Sequence, residues 1–232
     1  MKFWYPPILA YHRIAPQEAS DTPTLSPSIF EKQMMILAHR WKPVSLDFIV
    51  ERFDQKRPFD RRAVAVTFDD GTVDNFTCAF PILLKYKIQA TIFMITDNIG
   101  KSGFLTADQI REMIQAGIHF GSHTQHHTYL PSVPLDRVRQ ELEGSKNSLE
   151  KLGASVTTMS YPAGGFSEQI VRLVQESNYR AACTTNRGFV RRPIDRWALR
   201  RITMHAKGTT SLGMFIRCSG YYGLNRRLRS PA

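Results

Sequence analysis

Short apolar runs separated by amphipathic stretches restrict the fold of this chain more than any other feature. In Ala63-Val64-Ala65-Val66-Thr67-Phe68 and Ala90-Thr91-Ile92-Phe93-Met94-Ile95 the apolar residues do not alternate with polar ones. That is the pattern of strands buried on both faces, as in a parallel sheet covered by helices. Comparable strands are expected at Ile8–Tyr11, Ile118–Gly121, Val156–Tyr161, Tyr179–Thr184 and Leu199–Met204. Helix signatures lie between them. Ser26 caps a helix from Pro27 to about Arg40, Ser45 caps another through Phe53, and Thr106 with Gln109 fits a capping box whose helix Gly117 stops. Asn75 to Tyr86 is expected to be helical despite Pro81. Leu135 to Leu152 is a long amphipathic helix closed by Gly153, Glu168 to Ser177 is another, and a short helix follows near Ser211. Roughly seven strands alternating with helices make the fold class α/β, a distorted (β/α)7-type barrel of mainly parallel strands. No linker or low-complexity segment divides the 232 residues, so 1–232 is read as one domain.

In a parallel barrel the residues that follow the strands line the active face. Four segments land there: His12, Asp69-Asp70-Gly71, His123 to His127, and Tyr161-Pro162-Ala163-Gly164. An Asp-Asp-Gly alone is most often a turn, because Asp bonds to nearby backbone and Gly accepts positive φ. At the end of a buried strand, however, two adjacent carboxylates are costly unless a cation or strong hydrogen bonds compensate them. His123 and His127 are natural nitrogen ligands for a borderline metal such as zinc, and the third ligand would be an aspartate. Together the two runs read as halves of a divalent-metal hydrolase site. One zinc ion is expected, with nickel or cobalt as functional substitutes.

Thirty-one Lys and Arg against 20 Asp and Glu leave a net charge of +11. The surplus would draw the chain into peripheral contact with anionic surfaces, or merely keep it soluble. No zinc-finger spacing or RNA-recognition sequence is present, so no nucleic-acid partner is expected. Cys78, Cys183 and Cys218 are odd in number and far apart, which suits buried thiols of a reduced protein. The apolar start Phe3 to Tyr11 holds two prolines and no small-residue cleavage site. A signal peptide is therefore not expected, a cytoplasmic location is favoured, and no run reaches the length of a membrane span.

With its segments in this order, the chain resembles the polysaccharide deacetylases of carbohydrate esterase family 4. Their signatures T-F-D-D-G and H-[ST]-x-x-H are matched by Thr67–Gly71 and His123–His127. Tyr161-Pro162-Ala163-Gly164 is similar to the third motif, with Ser160 where an arginine often stands. The Tyr11-His12-Arg13 start resembles a subgroup that deacetylates poly-N-acetylglucosamine in biofilms and keeps its acid histidine near the N-terminus. The resemblance implies roles. Asp70, His123 and His127 would hold the metal, Asp69 would be the general base, and Gly71 would let the turn bring both acids to the site. His126 falls at an unspecified motif position and is not implied as a ligand. By analogy with the third motif, the Ala163 backbone N–H would stabilise the oxyanion. The general acid would be His12, or else His205, whose Met204-His205 pair is a poor match to the family's late Leu-x-His. Arg200 or Arg201, on the last strand, would orient Asp69, unless the two are surface arginines.

The activity so implied is metal-dependent removal of N-acetyl groups from an N-acetylhexosamine-containing polysaccharide or oligosaccharide. Two other classes stay open: an amidohydrolase acting on a small cyclic amide such as a ureide, and a non-catalytic glycan-binding module suggested by the absent arginine. Tyr129, Leu130 and Tyr161 either stack on sugar or belong to the core, and their burial tendency favours the core. His39 and His119 carry no motif and read as packing or surface residues.

Overall fold

The computed structural model of the protein, which describes residues 5–16, 23–185, 195–204 and 211–218, closes seven parallel strands into a barrel. In chain order the strands are β1 (Ile8–Tyr11), β2 (Arg13–Ile14), β3 (Thr24–Leu25), β4 (Lys42–Pro43), β5 (Ala63–Phe68), β6 (Ala90–Met94), β7 (His119–Ser122), β8 (Thr158–Ser160), β9 (Ala181–Thr184) and β10 (Leu199–Thr203). From β5 to β10 each strand pairs with the next, and β1 fills the remaining gap. Ile8 is in register with Arg201 on one side and Ala65 on the other. The N-terminal strand is thus the one that closes the barrel. β2 and β3 pair separately, and β4 extends the sheet beside the start of β5.

The helices are α1 (Pro27–Arg40), α2 (Leu46–Asp54), α3 (Phe80–Lys85), α4 (Ala107–Gln115), α5 (Leu135–Glu150), α6 (Glu168–Glu176) and α7 (Ser211–Cys218). Ser26 and Ser45 cap α1 and α2, and Thr106 with Gln109 closes the capping box of α4. Two elements differ from expectation. The stretch from Asn75 to Tyr86 divides into a π-helical turn, Asn75–Ala79, and α3. There the Phe80 N–H reaches back to the Asn75 carbonyl, and Pro81 falls in the first turn of α3, directly after the π-helical turn. Of Val156 to Tyr161, only Thr158–Ser160 is strand, because Tyr161 starts a tight turn over Pro162, which cannot donate to a ladder. The other boundaries shift by a few residues at most, as helix and strand ends do. Cys183 and Cys218 are buried, whereas Cys78 is only half-buried. No helix among the described residues is long and apolar enough to cross a membrane.

Alternation along the strands sorts the side chains into an inner and an outer set. Ile8, Ala65, Phe93, Ala181, Cys183 and Leu199 meet in one buried cluster with Leu46, Ile49 and Val50 of α2. Leu9, Tyr11, Val64, Val66, Phe68 and Ile92 belong to the larger cluster under the other helices. Each large apolar side chain so buried contributes about 1.5–3 kcal/mol. Gly121 sits at an inner position where only hydrogen fits, since a Cβ would lie 2.6 Å from the Phe93 ring. Counting on in steps of two from the inner residues of these strands reaches His12, Asp69, His123, Ser160 and Arg201 at one end of the barrel.

Candidate active site

β5 delivers Asp69 to the inner face, where only 2% of its surface is exposed. Both carboxylate oxygens are taken by Arg201, with Nη1 donating to Oδ1 at 2.7 Å and Nη2 to Oδ2 at 2.6 Å. Arg201 also donates to Ser160 Oγ at 2.7 Å and to Thr67 Oγ1 at 3.2 Å, and its guanidinium lies 5.2 Å from the centre of the Phe93 ring. The serine that stands in place of the third-motif arginine therefore binds an arginine supplied by β10. Of the two candidates on that strand Arg201 has the inward parity, and Arg200 has the outward one. Burial alone would raise the Asp69 carboxyl, but the Arg201 guanidinium, with the His123 and His12 rings nearby, holds it well below the ordinary carboxylate range. The fork is a buried, bidentate, charge-assisted pair, the strong kind of hydrogen bond.

Asp70 leaves the strand with φ 72°, followed by Gly71 at the same angle. Glycine suits position 71, because its φ is one that L side chains rarely adopt and a Cβ there would also push the Met94 thioether aside. The turn aims Asp70 Oδ1 at Nε2 of His123, 3.7 Å away, and Nε2 of His127, 3.8 Å away. One potential ligand atom from each of the three lies within 4.8 Å of the others. Burial, reinforced by the charge on Asp69, pushes the Asp70 carboxyl up to about 6. Burial likewise lowers His127 and brings His123 down to about 4, so the buried imidazole is neutral.

The donor chemistry of this trio fits a cation. Nδ1 of His123 lies 2.8 Å from the Ser160 carbonyl oxygen, so it carries the proton and donates. Its Nε2 then faces Asp70 with a lone pair. Two acceptors pointed at one gap repel unless a positive centre lies between them, and a carbonyl bond of this kind at the far ring nitrogen is what fixes the tautomer of a ligating histidine.

His12 follows β1 and comes within 3.8 Å of Asp69 Oδ2 through its Nε2. Two residues not singled out in the sequence hold it there. Asn75, in the π-helical turn, donates from Nδ2 to the His12 carbonyl at 2.9 Å. Asp74 accepts from the Ile14 N–H at 2.8 Å and from Arg13 Nε at 3.1 Å. His205 lies outside the described residues.

A family model for polysaccharide deacetylases matches residues 56–182, more than half of the chain. The chain belongs to the polysaccharide deacetylase family. It is 32% identical over 198 residues to YxkH of Bacillus subtilis, itself assigned to the polysaccharide deacetylases, covering 84% of this chain and 70% of that one. It is 28% identical to the poly-beta-1,6-N-acetyl-D-glucosamine N-deacetylase of Staphylococcus epidermidis, over 75% of this chain and 65% of that enzyme. The fold matches the Streptococcus pyogenes deacetylase PplD, solved with acetate, at a TM-score of 0.87 and 26% identity, over 94% of this chain and 99% of that chain. These relations place the chain in carbohydrate esterase family 4, among its poly-N-acetylglucosamine deacetylase-like members.

The third deacetylase motif forms a short turn in which Ala163 has φ 51°. Its closing bonds run from Gly164 to Tyr161 and from Gly165 to Pro162, so the Ala163 N–H is committed to neither. Asp70, Thr124, His127 and Ala163 are all left-handed non-glycine residues at the same end of the barrel, and such strain collects at functional sites. His126 turns away from the trio, with Nδ1 2.9 Å from Glu141 Oε1. Leu130 and Tyr161 are core residues, Tyr161 stacking on Phe166, whereas Tyr129 is 49% exposed. His39 is exposed and lies against the Met35 carbonyl, and His119 pairs with Asp47 at 2.7 Å.

Proposed function

We propose that the protein hydrolyses N-acetyl groups from an N-acetylhexosamine-containing polysaccharide or oligosaccharide, using one divalent cation held by Asp70, His123 and His127. Zinc suits two imidazoles and a carboxylate, and nickel or cobalt should substitute. The observation that carries this reading is the Arg201-clamped Asp69 carboxylate, set between His12 and the trio. When bound, the cation would polarise the acetyl carbonyl and make water acidic enough to attack near neutral pH.

The chain's own side chains account for the proton transfers. Arg201 favours the ionised form of Asp69, whose oxygens keep a further lone pair to accept the proton of the attacking water. As oxygen adds to the acetyl carbon, the Ala163 N–H would donate to the developing oxyanion. His12 in its protonated form delivers a proton to the nitrogen as the C–N bond breaks, so that acetate and an amine leave. Arg201 also favours catalysis over a mere glycan-binding role, since it supplies the guanidinium whose absence at Ser160 suggested that alternative.

A substrate panel tests the assignment. Acetate should appear from N-acetylglucosamine oligosaccharides and hardly at all from acetylxylan. Turnover of a cyclic ureide with no acetate from any amino sugar would refute it. His12→Ala should keep fold and metal yet slow amide hydrolysis by about 10²–10⁴-fold, while sparing an activated aryl ester whose leaving group needs little protonation. Equal loss on amide and ester would remove His12 from the acid role.

Metal affinity should also depend on pH in a specific way. A ligand must shed its proton to bind, and Asp70 does so at about 6, above the ordinary carboxylate value. Zinc affinity should therefore be level above about pH 7 and weaken by about tenfold per pH unit below 6. Chelator competition between pH 5 and 8 reads this directly, and an affinity that stays flat to pH 5 would show that no ligand of the metal takes up a proton above that pH.

A further inference from the structure

α5 carries an acid on its buried face. Val138, Leu142, Ser145 and Leu149 recur there at helical spacing, and Glu141 shares that face with 0% of its surface exposed. A carboxylate so placed is costly unless its oxygens are fully satisfied. Its partners come chiefly from one loop. Oε2 accepts from the backbone N–H groups of Gln125 at 2.8 Å and His126 at 3.0 Å, and Oε1 lies 2.9 Å from His126 Nδ1. Arg137, one turn earlier, reaches Oε1 from the rim at 2.8 Å. One turn later Ser145 bonds to the Ser122 hydroxyl at 2.9 Å, which in turn accepts from the Thr124 N–H at 3.1 Å. Gly144, between them, leaves room for the Gln125 side chain, which a Cβ would meet at 2.4 Å. The helix thus grips the chain on both sides of His123 and up to His127, across two left-handed residues, Thr124 and His127, that a free loop would seldom adopt together.

We infer that Glu141 is a positioning residue for the metal centre, fixing the Gln125–His126 backbone so that His123 and His127 converge on Asp70. The inference rests on the metal-site reading above. Without the grip, the loop would have to be ordered by the cation itself, at the expense of affinity.

Glu141→Gln keeps the size of the side chain and removes its charge. In chelator-stripped protein its zinc Kd should rise by about 10–100-fold, the range for outer partners of metal ligands. The cobalt absorption spectrum should change with it, while far-ultraviolet circular dichroism stays as in the wild type. In stripped wild-type protein the Gln125 and His126 amides should exchange with deuterium as slowly as those of the barrel strands. Unchanged zinc affinity in the variant overturns the inference, as do wild-type amides that exchange like an exposed loop. The exchange measurement needs no variant, so it decides the matter even if Glu141→Gln fails to fold. A wild-type chain that binds no zinc would bring down the metal-site reading and this inference together, whereas normal wild-type binding with an indifferent variant removes the inference alone.

Discussion

Asp69→Asn is expected to lose about 10²–10⁴-fold in amide turnover while still binding one metal per chain. The amide has the shape of the carboxylate but cannot accept a proton from water, and Asp70, His123 and His127 are untouched. The loss should fall on kcat more than on KM, since no sugar contact is removed. Acetate release and elemental analysis on the same preparation give both halves of the result. A variant that turns over at the wild-type rate would take Asp69 out of the base role, and one that loses its metal would make it a ligand.

Arg201→Met should have the larger effect on stability, about 3–5 kcal/mol, because it leaves the buried Asp69 charge without its partner. The sign of the pH dependence follows from Asp69. Its folded pKa lies below the unfolded value, so the pair stabilises the native state above the ordinary carboxylate range and ceases to as pH falls through the lower folded value. With Arg201 gone, burial is opposed only by the His123 and His12 rings, and the carboxyl rises. The stability deficit should then be greatest near neutral pH and shrink as the solution is acidified, and the acid limb of kcat/KM should move to higher pH. Arg201→Lys should rescue little, since an ammonium cannot reproduce a fork that also reaches Ser160. Urea unfolding at neutral and acid pH measures the first effect. A deficit below about 1 kcal/mol, the range of an exposed pair, with an unmoved acid limb would show that the clamp is dispensable.

Much of this was legible in the sequence because it is set locally. Unalternating apolar runs mark buried strands, hydroxyl and amide residues mark helix starts, and the residues after the strands mark the active end. The features that were hard to read depend on partners far along the chain. Closure by β1 between β10 and β5 joins residues from opposite ends of the sequence. The choice of Arg201 over Arg200 follows from strand parity only once Leu199 is known to face inward. Glu141 had a signal, an acid on the face that also carries Val138, Leu142 and Leu149, but which loop it would hold is fixed by how α5 packs against β7. The π-helical turn that brings Asn75 to His12 could be suspected from Pro81, yet its partner lies 63 residues away.

A metal held by Asp70, His123 and His127 should be needed for N-deacetylation. The most direct test of this requirement is a zinc titration of chelator-stripped wild-type protein, with acetate release from an N-acetylglucosamine oligosaccharide as the signal. Stripped protein should be inactive, and activity should rise in proportion to zinc and level off at one ion per chain. Full acetate release before any zinc is added, or zinc binding that saturates without acetate from any N-acetylated sugar, would contradict the claim.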